Sequence, residues 1–187
     1  MNTGLILLAA GNSVRFGKNK LFALVDGKPM LERAIETAAK TKIPFVVVTQ
    51  AGKAADTAKD LGAEVIINSR PEYGLSYSVH LGTEHFSDKN ALIFMVCDQP
   101  YLKAETIQHL VSEFYMSPKR IACISSENRR GNPAMFDISF APALMALEGD
   151  TGGREIIRAN PDEVLLVNAS SNELKDIDRK SDLNNIN

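Results

Sequence analysis

The sequence predicts an α/β fold with a mostly parallel central sheet, and three observations carry that prediction. Short runs rich in apolar and β-branched residues recur along the 187-residue chain, amphipathic stretches of helical length lie between them, and a Gly/Asn/Ser turn follows the first run. Strand and helix in alternation require a sheet covered on both faces, because each crossover lays a helix against one of them.

Taken in order, the strand-like runs are residues 4–10, 45–50, 64–67, 91–97, 121–125 and 164–167. Between them, residues 30–41, 53–61, 76–86 and 104–115 carry apolar side chains at helical spacing. The stretch 128–136 interrupts the alternation with Gly131 and Pro133, and the tail from Ser170 is polar with few apolar residues. No repeat, linker or low-complexity segment divides the chain, so a single domain over 1–187 is expected.

Composition narrows the function classes. The 21 Lys+Arg against 23 Asp+Glu give a formal net charge of -2, which lacks the basic footprint of a nucleic-acid binder. Any anionic ligand must be held locally. Cys97 and Cys123 are far apart, with no CxxC, and read as buried thiols of a reduced, cytoplasmic protein. Residues 5–10 have no basic region before them and run into a turn, so they read as a strand rather than a signal peptide. No apolar run approaches the roughly 20 residues that span a bilayer, so no membrane partner is expected.

Ligands of parallel α/β sheets bind beyond the carboxyl ends of the strands, here the segments after Ala10, Ile67 and Cys97, which are expected to form one crevice. The first of these, from Leu8, Ala9, Ala10 and Gly11 through Arg15 and Gly17 to Lys20, combines two glycines with three cations. Its backbone amides can face phosphate oxygens, Arg15 can grip phosphate bidentately and Lys20 supplies a compact charge, which is the chemistry of a triphosphate cradle. GxxxxGK[ST] and GxGxxG are both absent, so kinase and dehydrogenase readings lose support.

The run 91–97 ends in Asp98-Gln99-Pro100. A carboxylate at the end of a central strand faces the crevice, where a hard cation such as Mg2+ is its natural partner. An acid just before a proline also suits a turn or a helix cap. A second acid comes from Asp176-Ile177-Asp178, whose two carboxylates share a face if the segment is extended.

These segments, in this order and spacing, resemble the molybdenum cofactor nucleotidyltransferases, and within them the cytidylyltransferase branch. The resemblance rests on residues 8–20, Asp26-Gly27-Lys28-Pro29-Met30-Leu31, Gly74-Leu75-Ser76-Tyr77-Ser78, Asp98-Gln99-Pro100, Gly131-Asn132-Pro133, residues 149–154 and Asp176-Ile177-Asp178. It implies a three-layer Rossmann-like nucleotidyltransferase fold that binds a nucleoside triphosphate over the first strand's loop. It further implies contacts from Arg15 and Lys20 to the triphosphate, Mg2+ on Asp98 with Asp178 as a second metal contact, and Ser76 and Ser78 beside the nucleotide. Capping of the helix by Ser76 accounts for that serine equally well. Ala10 in the LAAG stretch favours CTP over GTP, since a glycine is usual there in the guanylyl branch. The implied partners are a molybdopterin-type acceptor, contacted by Asn132 and Arg154, and a molybdoenzyme receiving the cofactor. Phe16 stands where methionine is common, a volume-tolerant exchange. Asn132 stands where histidine is frequent, which removes a titratable ring from that loop.

The reaction so implied needs no dedicated base, because an acceptor phosphate is largely ionised at pH 7. His80, His85 and His109 fall in helical stretches without a nucleophile beside them and read as helix-face residues. Arg129 and Arg130 join Arg154 as cations for the acceptor. Other readings are transfer to a sugar, polyol or cobinamide phosphate, and a non-catalytic protein that binds nucleotide and delivers cofactor.

Overall fold

The computed structural model describes residues 2–11, 20–127, 129–179 and 181–182. Nine strands are described: β1 (Thr3–Leu8), β2 (Leu24–Val25), β3 (Lys28–Pro29), β4 (Phe45–Thr49), β5 (Glu64–Ile67), β6 (Ala91–Val96), β7 (Ile121–Ser126), β8 (Arg129–Asp137) and β9 (Val164–Asn168). The helices are α1 (Met30–Lys40), α2 (Lys53–Asp60), α3 (Leu75–His85), α4 (Ala104–Met116), α5 (Ala141–Met145) and α6 (Gly153–Ala159).

Seven strands form the main sheet in the order β5-β4-β1-β6-β8-β7-β9, and β2 and β3 form a separate small hairpin. Only β8 runs antiparallel, paired to β6 on one side and β7 on the other. The mostly parallel sheet read from the sequence is therefore present, with the four expected helices within a residue of their expected ends.

Side chains of the central strands alternate between two cores. Leu5 and Leu7 pack on one face with Leu31 and Ile35 of α1 and Ile107 and Leu110 of α4. Ile6 packs on the other face with Val79 of α3, Leu144 of α5 and Ile156 and Ile157 of α6. A strand covered on both faces has no polar side to show, which is why β1, β4 and β6 read as unbroken apolar runs. Gly82 of α3 lets that helix approach the sheet, since a Cβ there would stand 2.5 Å from Ile6.

The stretch 128–136, expected to break the alternation, is for the most part strand β8. Its polar first half, Arg129-Arg130-Gly131-Asn132, carries no apolar period, yet it pairs with β7. No helix among the described residues is long and apolar enough to cross a membrane.

Candidate functional site

Because β1, β4, β5 and β6 are mutually parallel, their carboxyl ends lie along one edge of the sheet. Antiparallel β8 brings its beginning to that same edge, with Arg129 opposite Ser126 and Arg130 opposite Ser125 at the end of β7. Asn132 and Pro133, joined by a cis peptide bond, follow directly.

The backbone leaving β1 is fastened to β4. Leu8 pairs with Val48 and Val96. The Ala9 N–H donates to Val48 O at 2.8 Å, Ala9 O accepts from Thr49 Oγ1 at 3.2 Å and Ala10 O accepts from Gln50 Nε2 at 2.8 Å. Gly11 is exposed, and among the described residues beyond its chain neighbours no atom lies within 4 Å of where its Cβ would stand. Arg15 and Gly17 lie outside the described residues.

Lys20 opens a short 3-10 turn, Lys20–Phe22, and its ammonium joins the two acids singled out in the sequence. Lys20 Nζ donates to Asp98 Oδ2 at 3.0 Å and to Asp178 Oδ1 at 2.7 Å. Burial pulls the Lys20 pKa down, but Asp98 and Asp178 more than offset this and hold it above its ordinary value. The ammonium therefore stays charged throughout the physiological range. The other Asp98 oxygen, Oδ1, is buried and has no hydrogen-bond partner among the described residues. An unmatched buried carboxylate oxygen beside an ammonium marks a place for further positive charge.

Asp178 reaches this site because the tail after β9 is sewn onto the loop after β6. The Ile177 N–H donates to Asp98 O at 2.9 Å, and Gln99 Nε2 donates to Asp176 Oδ1 at 3.0 Å. Ile177 is fully buried with Val25 and Met30, so the side chains on either side of it turn toward Asp98 and Lys20. Burial, and next the charge of Asp98, push the Asp176 carboxyl above its usual range. Asp182 accepts from the amides of Arg179 and Asp178 at 2.7 and 2.8 Å, which lowers its own pKa and fixes the backbone that carries Asp178. Two carboxylates suit magnesium, which takes one or two from the protein and leaves its other positions to phosphates and water. Among the described residues, no group of three or more His, Cys, Asp or Glu is placed to hold a metal.

Ser76 and Ser78 stand at the start of α3, and both are buried. Ser76 Oγ donates to Tyr73 O at 3.1 Å, its amide donates to Gly149 O at 3.1 Å, and Ser78 Oγ accepts from Asn68 Nδ2 at 2.9 Å. A Cβ on Gly74, whose φ is +78, would stand 2.4 Å from Gly149 O, so two backbones touch there. The 149–154 segment is thereby docked on α3, and Arg154 is exposed at the start of α6. The structure brings Lys20, Asp98 and Asp178 together, places Asn132 at the same sheet edge, and sets Ser76 and Ser78 into the support of α3.

His80 stacks on Tyr77, while His85 and His109 lie 3.5 and 3.9 Å from Glu64 and Glu113, all on helices and none bonded to the site. Cys97 and Cys123 are free and buried. Burial pushes both thiols up, Cys123 to about 11. Two residues of the site neighbourhood had no assigned part in the sequence reading. Gln99 lies within the noticed Asp98-Gln99-Pro100 turn, and Glu173 shows only a Ser170-x-x-Glu173 spacing of capping-box form.

The family described as MobA-like NTP transferase domain matches residues 5–164. The Bifunctional protein GlmU of Clostridioides difficile (strain 630) is 31% identical over 140 residues, 73% of this chain and 30% of that protein, so the chain spans under a third of this relative's length. The Purine catabolism protein PucB of Bacillus subtilis (strain 168) is 26% identical over 188 residues, covering 92% of this chain and 90% of PucB. A Probable molybdenum cofactor guanylyltransferase of Aquifex aeolicus (strain VF5) is 30% identical over 108 residues, 58% of this chain and 52% of the relative. Among solved structures, a nucleotidyl transferase from Methanothermobacter thermautotroptrophicus superposes with a TM-score of 0.83 at 18% identity, covering 99% of this chain and 95% of the other.

Proposed function

The chain belongs to the MobA-like NTP transferase domain family, and from that premise we propose that it transfers CMP from CTP to the phosphate of a molybdopterin-type acceptor, releasing pyrophosphate, with Mg2+ at Asp98 and Asp178. The observation that carries the reading is the Lys20 ammonium, 3.0 Å from Asp98 and 2.7 Å from Asp178 at the sheet edge where β1 and β6 end.

In this reaction an acceptor phosphate oxygen forms a bond to the α-phosphorus while the bond from that phosphorus to the β-phosphate oxygen breaks. The leaving pyrophosphate takes the electron pair. Because the acceptor phosphate is already largely ionised at pH 7, no side chain has to remove a proton from it. That is consistent with a site bearing carboxylates and a lysine but no histidine.

Charge placement is then the chain's main contribution. The backbone of Leu8, Ala9, Ala10 and Gly11 forms the floor under the triphosphate, with Arg15 and Lys20 neutralising its oxygens. Asp98 and Asp178 would hold magnesium, which would supply further positive charge as electrons shift toward pyrophosphate. In the nucleotide-free protein, Lys20 neutralises those same two carboxylates. Asn132, Arg154 and the exposed Arg129 and Arg130 are the groups for the acceptor side, with Ser76 and Ser78 holding the start of α3 next to the nucleotide.

Ala10 supports the choice of CTP, and intact Lys20 and Asp98 support catalysis over mere cofactor delivery to a molybdoenzyme. The test is pyrophosphate release with CTP, GTP, ATP and UTP, each with Mg2+ and molybdopterin. CTP-selective turnover is expected. Turnover with GTP alone would replace the base assignment, signal only with a sugar phosphate would replace the acceptor, and no turnover under any condition would sink the catalytic reading.

A further inference from the structure

Glu173 is a carboxylate that the proposed reaction does not use, yet it is only 5% exposed. Burying a charge is costly unless it is matched, and no cation pairs with it among the described residues. Its partners are instead three donors. Oε2 accepts from the Lys103 N–H at 3.2 Å and from Thr106 Oγ1 at 2.5 Å, and Oε1 accepts from Ser170 Oγ at 3.0 Å. Lys103 immediately precedes α4 as its N-cap residue, and its own side chain makes no cap there. A residue 70 positions later in the chain therefore caps that helix, where the helix dipole and free amides favour a negative charge.

The location connects this cap to the site. Asp98 precedes α4 by a short loop, and Asp178 follows Glu173 by five residues. Between Glu173 and Asp178, Leu174, Asp176 and Ile177 each touch the body. Leu174 lies where a Cβ on Gly131 would meet it at 2.4 Å, Asp176 accepts from Gln99, and Ile177 is buried and bonded to Asp98 O. After Ala169, whose N–H donates to Ser125 O at 2.8 Å, Glu173 ties the tail to the helix that the Asp98 loop leads into.

We infer that Glu173 is a positioning residue whose buried carboxylate pins the tail to the start of α4, so that Asp178 stands with Asp98 on a common cation. The inference rests on the reading of Asp178 as a metal-side carboxylate. Glu173 touches neither substrate nor metal and acts through the backbone of the tail.

The experiment uses the full chain with Mn2+ as the probe, in the presence of a non-hydrolysable CTP analogue, and reads free Mn2+ by electron paramagnetic resonance. Glu173→Ala is expected to weaken Mn2+ binding about tenfold, the lower end of what outer partners of metal ligands contribute. It should also speed amide exchange at Ile177 while leaving Leu5, Ile6 and Leu7 protected. In an Asp178→Asn background the same substitution should cost no further Mn2+ affinity, because the group it positions is already gone. Equal weakening in both backgrounds, or faster Ile177 exchange with unchanged Mn2+ affinity, overturns the inference and reduces Glu173 to a helix cap. If Glu173→Ala does not fold, Thr106→Val and Ser170→Ala remove single donors to the same carboxylate and enter the same cycle. Failure of the wild-type chain to bind Mn2+ with nucleotide overturns the proposed function itself, and the inference with it.

Discussion

Asp98 and Asp178 grip one ammonium from supports of unlike construction. Asp98 follows β6, the strand between β1 and β8 in the middle of the sheet, and its side chain is 31% exposed. Asp178 lies in an irregular tail, is 61% exposed, and is held in place because Gln99 donates to Asp176, the Ile177 N–H donates to Asp98 O and its own N–H donates to Asp182. One half of the site is thus set by close packing, the other by a handful of polar contacts. Packing fixes a position against every deformation of the core, whereas a polar stitch can open locally at little cost to the whole.

If the comparison holds, Asp98→Asn should cost the most. Pyrophosphate release should fall by roughly 10²–10³-fold or more, as for loss of a central electrostatic group, with the circular dichroism spectrum unchanged. Asp178→Asn should cost about tenfold, because a flexible, exposed contact contributes less. Equal losses would erase the distinction between the two supports, and normal Mg2+-dependent turnover of Asp98→Asn would remove its metal role altogether.

Lys20→Met sharpens the comparison, since it takes away the cation that both acids share. Nucleotide affinity measured by titration calorimetry should fall by roughly tenfold or more, because a charge-assisted contact to phosphate is lost. Affinity for bare Mn2+ should rise, because the metal no longer competes with an ammonium at 3.0 and 2.7 Å. Unchanged nucleotide affinity would count decisively against the cradle.

The smallest effect is expected in the tail itself. The Asp176 pKa is raised above its ordinary 3.8, so its contribution to stability is present below that pH and lost as pH rises through the folded-state value. At neutral pH the ionised group is therefore unfavourable. Asp176→Asn keeps an oxygen for Gln99 and removes the charge, so the Tm at pH 7 should rise slightly, with the gain vanishing below a pH of about 4. A lowered Tm at pH 7 would contradict this.

The same contrast explains what was legible in the sequence. β1, β4 and β6 announce themselves because each buries both faces, and Met30–Lys40 because Met30, Leu31, Ala34, Ile35 and Ala38 repeat at helical spacing toward the core. Asp98 could be placed by its position after such a run. β8 was hidden because Arg129-Arg130-Gly131-Asn132 is polar and gains its place from pairing with β7 and β6, a non-local cause. The tail was hidden for a related reason. It owes its order to Ile177, Glu173 and backbone hydrogen bonds, and one buried isoleucine in a polar segment leaves no period to read. Asp178 was noticed as one of the Asp176-Ile177-Asp178 pair and received its metal role through resemblance, and Glu173 was reached through neither route.

The reversed strand also divides the sheet by the length of chain that each pairing must close. β7 and β8 meet through a turn at Glu127, so their first contacts, Ser126 with Arg129 and Ser125 with Arg130, enclose almost no loop. By contrast Leu5 pairs with Phe45 and with Ile93, and neither contact can form until the intervening chain has folded back. Loop-closure entropy rises with the residues enclosed, so it is small within the hairpin and falls on the long-range pairings, antiparallel β8 with β6 included. The hairpin is thus a locally closed unit that joins the rest along two seams, β8 with β6 and β7 with β9, and the first residues of β8 lie at the same edge as Asp98.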